Sequence, residues 1–368
     1  MITGNKGDWS EIYALFKLLS DKILVPGDDE IQRIPDVFYP IIRILRSETS
    51  GDFEYSIEDD IVLVSGNEEE VRMPIEIFKE KALYLLKYIR SIKSKSDGSF
   101  SVPEIEDFMR SINCISLKAN SSVKTDITIV IHDQRTNQQP TLGFSVKSQL
   151  GSASTLFNAV LSSNFIYEIS ETVLSDEEIN EVNSLFIKRG KKLLRDLKGR
   201  TKLIFQKGAN LSFIKVEKPV FSNNLMLIDS LLPEILSEIV VSYYSGKSSV
   251  LSELVNYIER INPLRFNITN NHEFYRYKIK RFLTDTALGM LPSKVWNGKY
   301  DATGGYLVVK EDGDILCYHL YNRNEFENYL LNNTKLETPS SSRHGFGDLY
   351  KENNKIFFKL NLQIRFIK

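Results

Sequence analysis

Sulfur and imidazole are scarce in this chain. Its 368 residues include two cysteines, Cys114 and Cys317, and four scattered histidines. So few cysteines exclude a disulfide framework and fit a reducing compartment. A structural zinc site wants Cys and His in close spacing, which is absent here. No apolar run approaches the roughly 20 residues of a membrane span, and Met1 to Ser20 lacks the apolar stretch of a signal peptide. The expectation is a soluble, cytoplasmic protein with no membrane partner. Excess charge is lacking too: the net charge is −1. That excludes a uniformly basic nucleic-acid binder but not a local basic stripe, which is all that backbone binding requires. There is no internal repeat and no low-complexity tract. The length allows one elaborated catalytic domain with a second helical or β-rich part.

Periodicity then places the elements. Asp8 or Ser10 caps a helix to about Ser20, with Ile12, Leu15, Phe16 and Leu19 on its buried stripe and Glu11 at the margin. Trp9 and Tyr13 read as core residues. Short strands are expected at Tyr39 to Leu45, Phe53 to Tyr55 and Ile61 to Val64. Pro74 opens a helix to about Ile92, Lys93 to Ser101 is a loop, and Pro103 opens a helix to about Ile112. Further helices are expected at Ser154 to Leu161, Asp176 to Leu197, Asn223 to Tyr244, Leu251 to Ile261, Glu273 to Leu288 and Glu325 to Asn332. Strands are expected at Phe165 to Ile169, Tyr306 to Lys310, Ile315 to Leu320, Ile356 to Leu360 and Leu362 to Ile367. The Asp312-Gly313 step makes a hairpin turn.

The most informative segment is Lys124-Thr125-Asp126 followed by Gly143 to Gln149. Ile127, Ile129 and Ile131 alternate with Asp126, Thr128 and Val130, and Phe144 and Val146 alternate with Ser145, Lys147 and Gln149. A period of two puts Asp126, Ser145, Lys147 and Gln149 on one face of paired strands. A carboxylate beside a lysine is the minimal equipment for metal-assisted attack on a phosphodiester: the acid holds Mg²⁺ and the lysine handles water. An ordinary salt bridge at a sheet edge has the same pattern.

Longer words carry a resemblance. Gly4 to Tyr13 (GNKGDWSEIY), Gly143 to Ala159 (GFSVKSQLGSASTLFNA), Ser163 to Ile169 (SNFIYEI), and YHLYNRNEFENYLL, RHGFGDLY and KLNLQIRF between Tyr318 and Phe366 together resemble the HpaII family of type II restriction endonucleases. The resemblance spans nearly the whole chain. It implies an α/β fold with a PD-(D/E)xK restriction-endonuclease-like core, a mixed sheet flanked by helices, with helical insertions and a β-rich C-terminal part. It implies Mg²⁺-dependent cleavage of double-stranded DNA at a CCGG-type site in a prokaryotic cell, leaving a 5′-phosphate. A cognate DNA methyltransferase is implied as functional partner, and a homodimer is allowed. The expected divisions are a nuclease core over 1–175, a mainly helical 176–300, and a β-rich 301–368 packed on the core and contributing to DNA recognition.

On that resemblance Asp126 is a metal ligand, Lys147 positions water, and Glu11 or the Val146 backbone carbonyl completes the metal shell. Gln149 contacts water or phosphate. One departure stands out: Ser145 occupies the position of the usual second acid. This leaves open a catalytically inactive DNA-binding protein on a nuclease fold, and also a Ser145–Lys147 hydrolase dyad. Ser148, Ser152, Ser154, Thr155 and Asn158 follow the lysine strand, where they contact phosphate or cap the next helix. Asn322, Arg323, Arg343 and His344 are candidates for DNA contact, arginine being suited to guanine edges. His132 reads as structural, and Glu168 is too distant along the chain for an assignment. Two basic clusters, from Lys188 to Lys202 and from Arg276 to Arg281, serve as solvated faces or track phosphates.

Overall fold

A capping box fixes where the first helix begins. Asn5 accepts from the amides of Gly7 and Asp8, and the Asp8 carboxylate accepts from the Asn5 amide at 2.9 Å, so Lys6–Asp21 starts at Asn5 and not at Asp8 or Ser10. The computed structural model describes residues 1–92, 98–119 and 125–368, with the backbone alone at Arg189. Lys124 and part of the Lys93 to Ser101 loop fall outside them. The chain divides into two compact units: Met1–Ser154 with Tyr300–Tyr329 and Lys368, and Thr155–Lys299 with Leu330–Ile367. Both mix helices and sheets, as expected of an α/β chain. No helix among the described residues is long and apolar enough to cross a membrane.

A nine-stranded mixed sheet builds the first unit, in the order Ile23–Pro26, Ile315–His319, Gly305–Val309, Thr141–Ser148, Ile127–Ile131, Tyr39–Glu48, Gly51–Glu58, Ile61–Gly66 and Glu69–Pro74. The last four form an antiparallel meander. Ile23–Pro26 also pairs with Tyr39–Glu48, which closes six strands into a ring. The strand Thr141–Ser148 runs antiparallel to Ile127–Ile131 and parallel to Gly305–Val309. Parallel neighbours need a crossover, and this one contains the whole stretch Thr155–Lys299 of the second unit. Gly305 starts its strand at φ +102°, and a Cβ there would meet the Tyr318 carbonyl oxygen at 2.0 Å. Only glycine permits that start. The helices Lys6–Asp21, Ile75–Ser91 and Pro103–Ser111 cover the sheet's apolar side, and Trp9, Tyr13 and Phe16 are fully or almost fully buried there. The Trp9 indole donates to the Phe100 carbonyl at 3.0 Å.

The second unit has a four-stranded sheet in the order Asn210–Val216, Asn164–Ser170, Lys355–Asn361, Leu349–Glu352, and a three-stranded one of Thr334–Leu336, Ile364–Phe366 and Thr155–Phe157. Its long helices include Leu232–Tyr244, Leu251–Ile261 and Phe274–Leu288. Three expectations fail here. Ser154 to Leu161 is not a helix: Thr155–Phe157 is a strand, because Phe157 pairs with Ile364 and packs on Phe221 and Phe282. Asp176 to Leu197 is a short helix, Asp176–Asn183, followed by a hairpin of Phe186–Arg189 and Lys192–Arg195 turning at Gly190, whose φ is +62°. Asn223 to Tyr244 is two helices, Pro219–Ile228 and Leu232–Tyr244, the second opening on Pro233.

Candidate active site

Sheet register brings the singled-out residues of the first unit together. Asp126 directly precedes the strand Ile127–Ile131, and its amide donates to the Phe144 carbonyl at 2.9 Å, which sets it beside Ser145. Alternation then puts Ser145 and Lys147 on one face and Phe144 and Val146 on the other. Asp126 Oδ2 accepts from the Val146 amide at 2.7 Å and from the Ser145 hydroxyl at 2.9 Å. The same hydroxyl oxygen accepts from Lys147 Nζ at 3.0 Å. Carboxylate, hydroxyl and ammonium thus form one chain of hydrogen bonds. Across the parallel pair Tyr306 stands opposite Ser145, and the Lys147 ammonium lies 4.8 Å from the centre of its ring. That cation–π contact has no signal in the sequence, since the two residues are joined only by register.

Glu11 reaches this group from the first helix. Its Oε2 is buried and has no hydrogen-bond partner. Burial first and the Asp126 carboxylate second raise its pKa from 4.5 to about 8, against the opposing pull of Lys118. Burial draws the Lys147 pKa down, while Asp126 and Glu11 hold it up. Two carboxylates of which one is orphaned and repelled by the other are a site short of positive charge. Lys118, paired with Asp8 at 2.9 Å, supplies part of it. Arg46 supplies little, being buried against Glu48 at 2.6 Å and the Ser116 carbonyl at 2.5 Å. A cleft of about 770 Å³ opens beside Asp126, lined by the further carboxylates Asp52, Glu54 and Asp301 and by Ser47, Thr128 and Thr303.

A divalent cation fits this donor set. Among the described residues no group of three or more His, Cys, Asp or Glu is arranged to hold a metal. Mg²⁺, however, is commonly held by one or two carboxylates, with waters and substrate phosphate oxygens filling the rest. Asp126 and Glu11, which interact electrostatically, offer two carboxylates of that kind.

Other candidates are placed differently. Gln149 stands outside the hydrogen-bonded chain, its Oε1 accepting from the Glu311 amide at 3.3 Å. Ser148 shares a hydrogen bond with Ser10 at 2.8 Å, joining the lysine strand to the first helix. Ser152 and Ser154 close the first segment of this unit, while Thr155 and Asn158 belong to the other, where the next helical turn, Leu161–Ser163, starts from Val160 and is capped by neither of them. Arg323 pairs with Glu327 at 2.6 Å, next to Asn322 in the same unit. Arg343, exposed, and His344 belong to the second unit, in the short helix Ser341–His344. Glu168 is paired with Lys355 at 2.9 Å. The dyad alternative loses ground: Ser145 does touch Lys147, but its hydroxyl donates to Asp126 and accepts from Lys147.

Residues 5–366 match the family model described as HpaII restriction endonuclease. The chain is 48% identical over 367 residues, 99% of each chain, to the type II restriction enzyme HpaII of Haemophilus parainfluenzae. No solved structure matches significantly.

Proposed function

The chain belongs to the HpaII restriction endonuclease family and is a type II site-specific endonuclease; from this premise we propose that it hydrolyses duplex DNA at CCGG on a PD-(D/E)xK-like core, with Mg²⁺, leaving 5′-phosphate ends. One observation carries the assignment of the site: the hydrogen-bonded series Asp126–Ser145–Lys147 lies within electrostatic reach of Glu11, whose Oε2 is buried without a hydrogen-bond partner. Asp126 and Glu11 would hold the cation, with the Val146 carbonyl as a third donor. When bound, the cation supplies Lewis-acid stabilisation of charge on the scissile phosphate.

The remaining work falls to the chain's own groups. Lys147 orients the attacking water and offers positive charge to the phosphate as its negative charge grows. Ser145 aligns both neighbours, since its hydroxyl donates to Asp126 and accepts from Lys147. Glu11 supplies the charge that the usual second acid would carry at position 145. Gln149 is proposed as a contact to water or phosphate. We also propose that residues 301–368 contribute to recognition, with Asn322, Arg323, Arg343 and His344 as contacts, and that Ser148, Ser152, Ser154, Thr155 and Asn158 lie near the backbone. A cognate methyltransferase is the functional partner, and a homodimer would cut both strands in one encounter.

Digestion of unmethylated plasmid with Mg²⁺ and with EDTA tests the reading. Discrete fragments whose ends map to CCGG and carry 5′-phosphate are expected only with metal. Absence of discrete fragments, or cleavage undiminished in EDTA, would overturn it.

A further inference from the structure

Two basic clusters were legible in the chain, and the structure separates them. In the helix Phe274–Leu288 the cations are engaged: Arg276 lies 3.5 Å from both Glu259 and Glu273, Lys278 pairs with Asp229, and Arg281 lies 3.9 Å from Asp285. The 186–195 hairpin is different. From Val182 to Arg195 the chain has no acid. Lys188, Lys191 and Lys192 are exposed, and no acid pairs with them among the described residues. The base of the hairpin is nonetheless fixed. Arg195 pairs with Asp348 at 2.8 Å, the fully buried Arg200 pairs with the same carboxylate at 2.5 Å, and Arg200 lies 5.2 Å from the centre of the Phe186 ring. A firmly rooted two-stranded ribbon therefore projects unpaired cations.

Their arrangement favours one kind of partner. Lys188 stands opposite Leu193 and Lys192 opposite Arg189, so the two lysines point to opposite faces of the ribbon, with Lys191 in the turn. Cations on both faces suit a groove walled by phosphate on two sides better than a single flat anionic surface. Four residues per strand reach about 13 Å, and the major groove of B-DNA, about 12 Å wide, admits a two-stranded ribbon. We infer that the 186–195 hairpin is a DNA-grasping arm that enters the major groove and binds phosphates on both walls through Lys188, Lys191 and Lys192. The inference rests on the reading of duplex DNA as substrate. Such contacts set affinity and salt dependence without carrying sequence information.

The test compares the full-length enzyme with the triple variant Lys188→Ala/Lys191→Ala/Lys192→Ala. Binding to a duplex with one cleavage site is followed by fluorescence anisotropy in EDTA over a range of salt. Each phosphate contact contributes about 0.9 to the slope of log affinity against log salt, so the variant's slope should be shallower by about 2–3. Its affinity should be lower by roughly ten- to a hundredfold, with unchanged cleavage positions. Guanine N7 atoms protected from dimethyl sulfate by the wild type should become reactive. Circular dichroism checks folding, and Lys191→Gln alone, expected to lower the slope by about 0.9, serves if the triple variant misfolds. An unchanged slope in an enzyme that still cuts at discrete sites removes the arm and leaves the endonuclease reading intact. If Leu193→Ser instead alters sedimentation while the lysine variants leave the slope unchanged, the ribbon joins copies of this chain and the inference falls. A wild type that neither binds nor cuts DNA overturns the reading beneath it.

Discussion

Replacing Glu11 by glutamine should stabilise the metal-free protein while disabling it. The carboxyl is buried with one oxygen unpartnered, and Asp126 opposes its ionisation, so its pKa rises from 4.5 to about 8. An acid whose folded pKa is raised binds more protons in the folded state. Its contribution is therefore complete below about 4.5, and stability falls as pH climbs towards 8. The interval is about 3.5 pH units, each worth about 1.4 kcal/mol, which sets a ceiling near 5 kcal/mol at pH 8. Relaxation and residual solvent access reduce this to about 2–4 kcal/mol. Glutamine has nearly the same shape and never ionises, so Glu11→Gln avoids that penalty. For a cooperative unit of this size the gain corresponds to a melting temperature higher by roughly 5–10 °C at pH 8 in EDTA. At pH 5 the two proteins should melt nearly together.

Activity should move the other way. If Glu11 supplies the charge missing at Ser145, the glutamine variant should lose at least about a hundredfold in single-turnover cleavage at saturating Mg²⁺. Stability gained at a residue whose removal destroys activity marks a position kept for chemistry at the expense of the fold. Thermal melts in EDTA at pH 5 and pH 8, paired with single-turnover rates, decide the matter. A variant that melts no higher than wild type at pH 8, or that cleaves within tenfold of it, refutes the placement of Glu11 at the metal.

Ser145→Ala should lower the single-turnover rate by no more than about tenfold, since the hydroxyl aligns Asp126 and Lys147 but brings no charge; a hundredfold loss would move the metal-bound water onto the serine. Lys147→Ala should abolish cleavage and leave DNA affinity within about tenfold, because the ammonium acts on the transition state; cleavage retained within tenfold, seen in gel time courses, would remove it from the mechanism. His319, 1% exposed, has Nε2 buried without a partner, and burial lowers its pKa from 6.5 to about 4. Protonation here favours the unfolded chain, so stability present above about pH 6.5 drains as pH falls towards 4, by about 3 kcal/mol in all. Denaturant titrations of His319→Gln, whose amide can still accept from Tyr321, should show a smaller loss between pH 7 and pH 4.5, and an identical loss would exclude His319 as a source of acid sensitivity.

What could be read from the sequence was local. Alternation over Ile127 to Ile131 and Phe144 to Ser148 exposed the polar face of the site, because a period of two needs only neighbouring residues. Helical spacing likewise put Glu11 at the edge of a buried stripe, where it could reach the sheet. Tyr306 stayed hidden, since its place opposite Ser145 depends on pairing across about 160 residues. The same non-local pairing defeated the helix expected at Ser154 to Leu161, where Ile364 takes Phe157 into a strand. The hairpin was hidden for another reason: lysines and leucines recur from Phe186 to Arg195 at spacings a helix also accepts, and only Gly190 argued for a turn.

Ser145 shows the limit most clearly. A serine where an acid is usual is visible as a departure, and sequence alone offers decay, a dyad or compensation as explanations. The choice depends on where one proton goes. With the Ser145 hydroxyl donating to Asp126 and accepting from Lys147, the serine is an uncharged bridge between the acid and the lysine. In the proposed reading the negative charge it lacks comes from another element, and Glu11 on the first helix, with its buried unpartnered oxygen, is the group proposed to provide it.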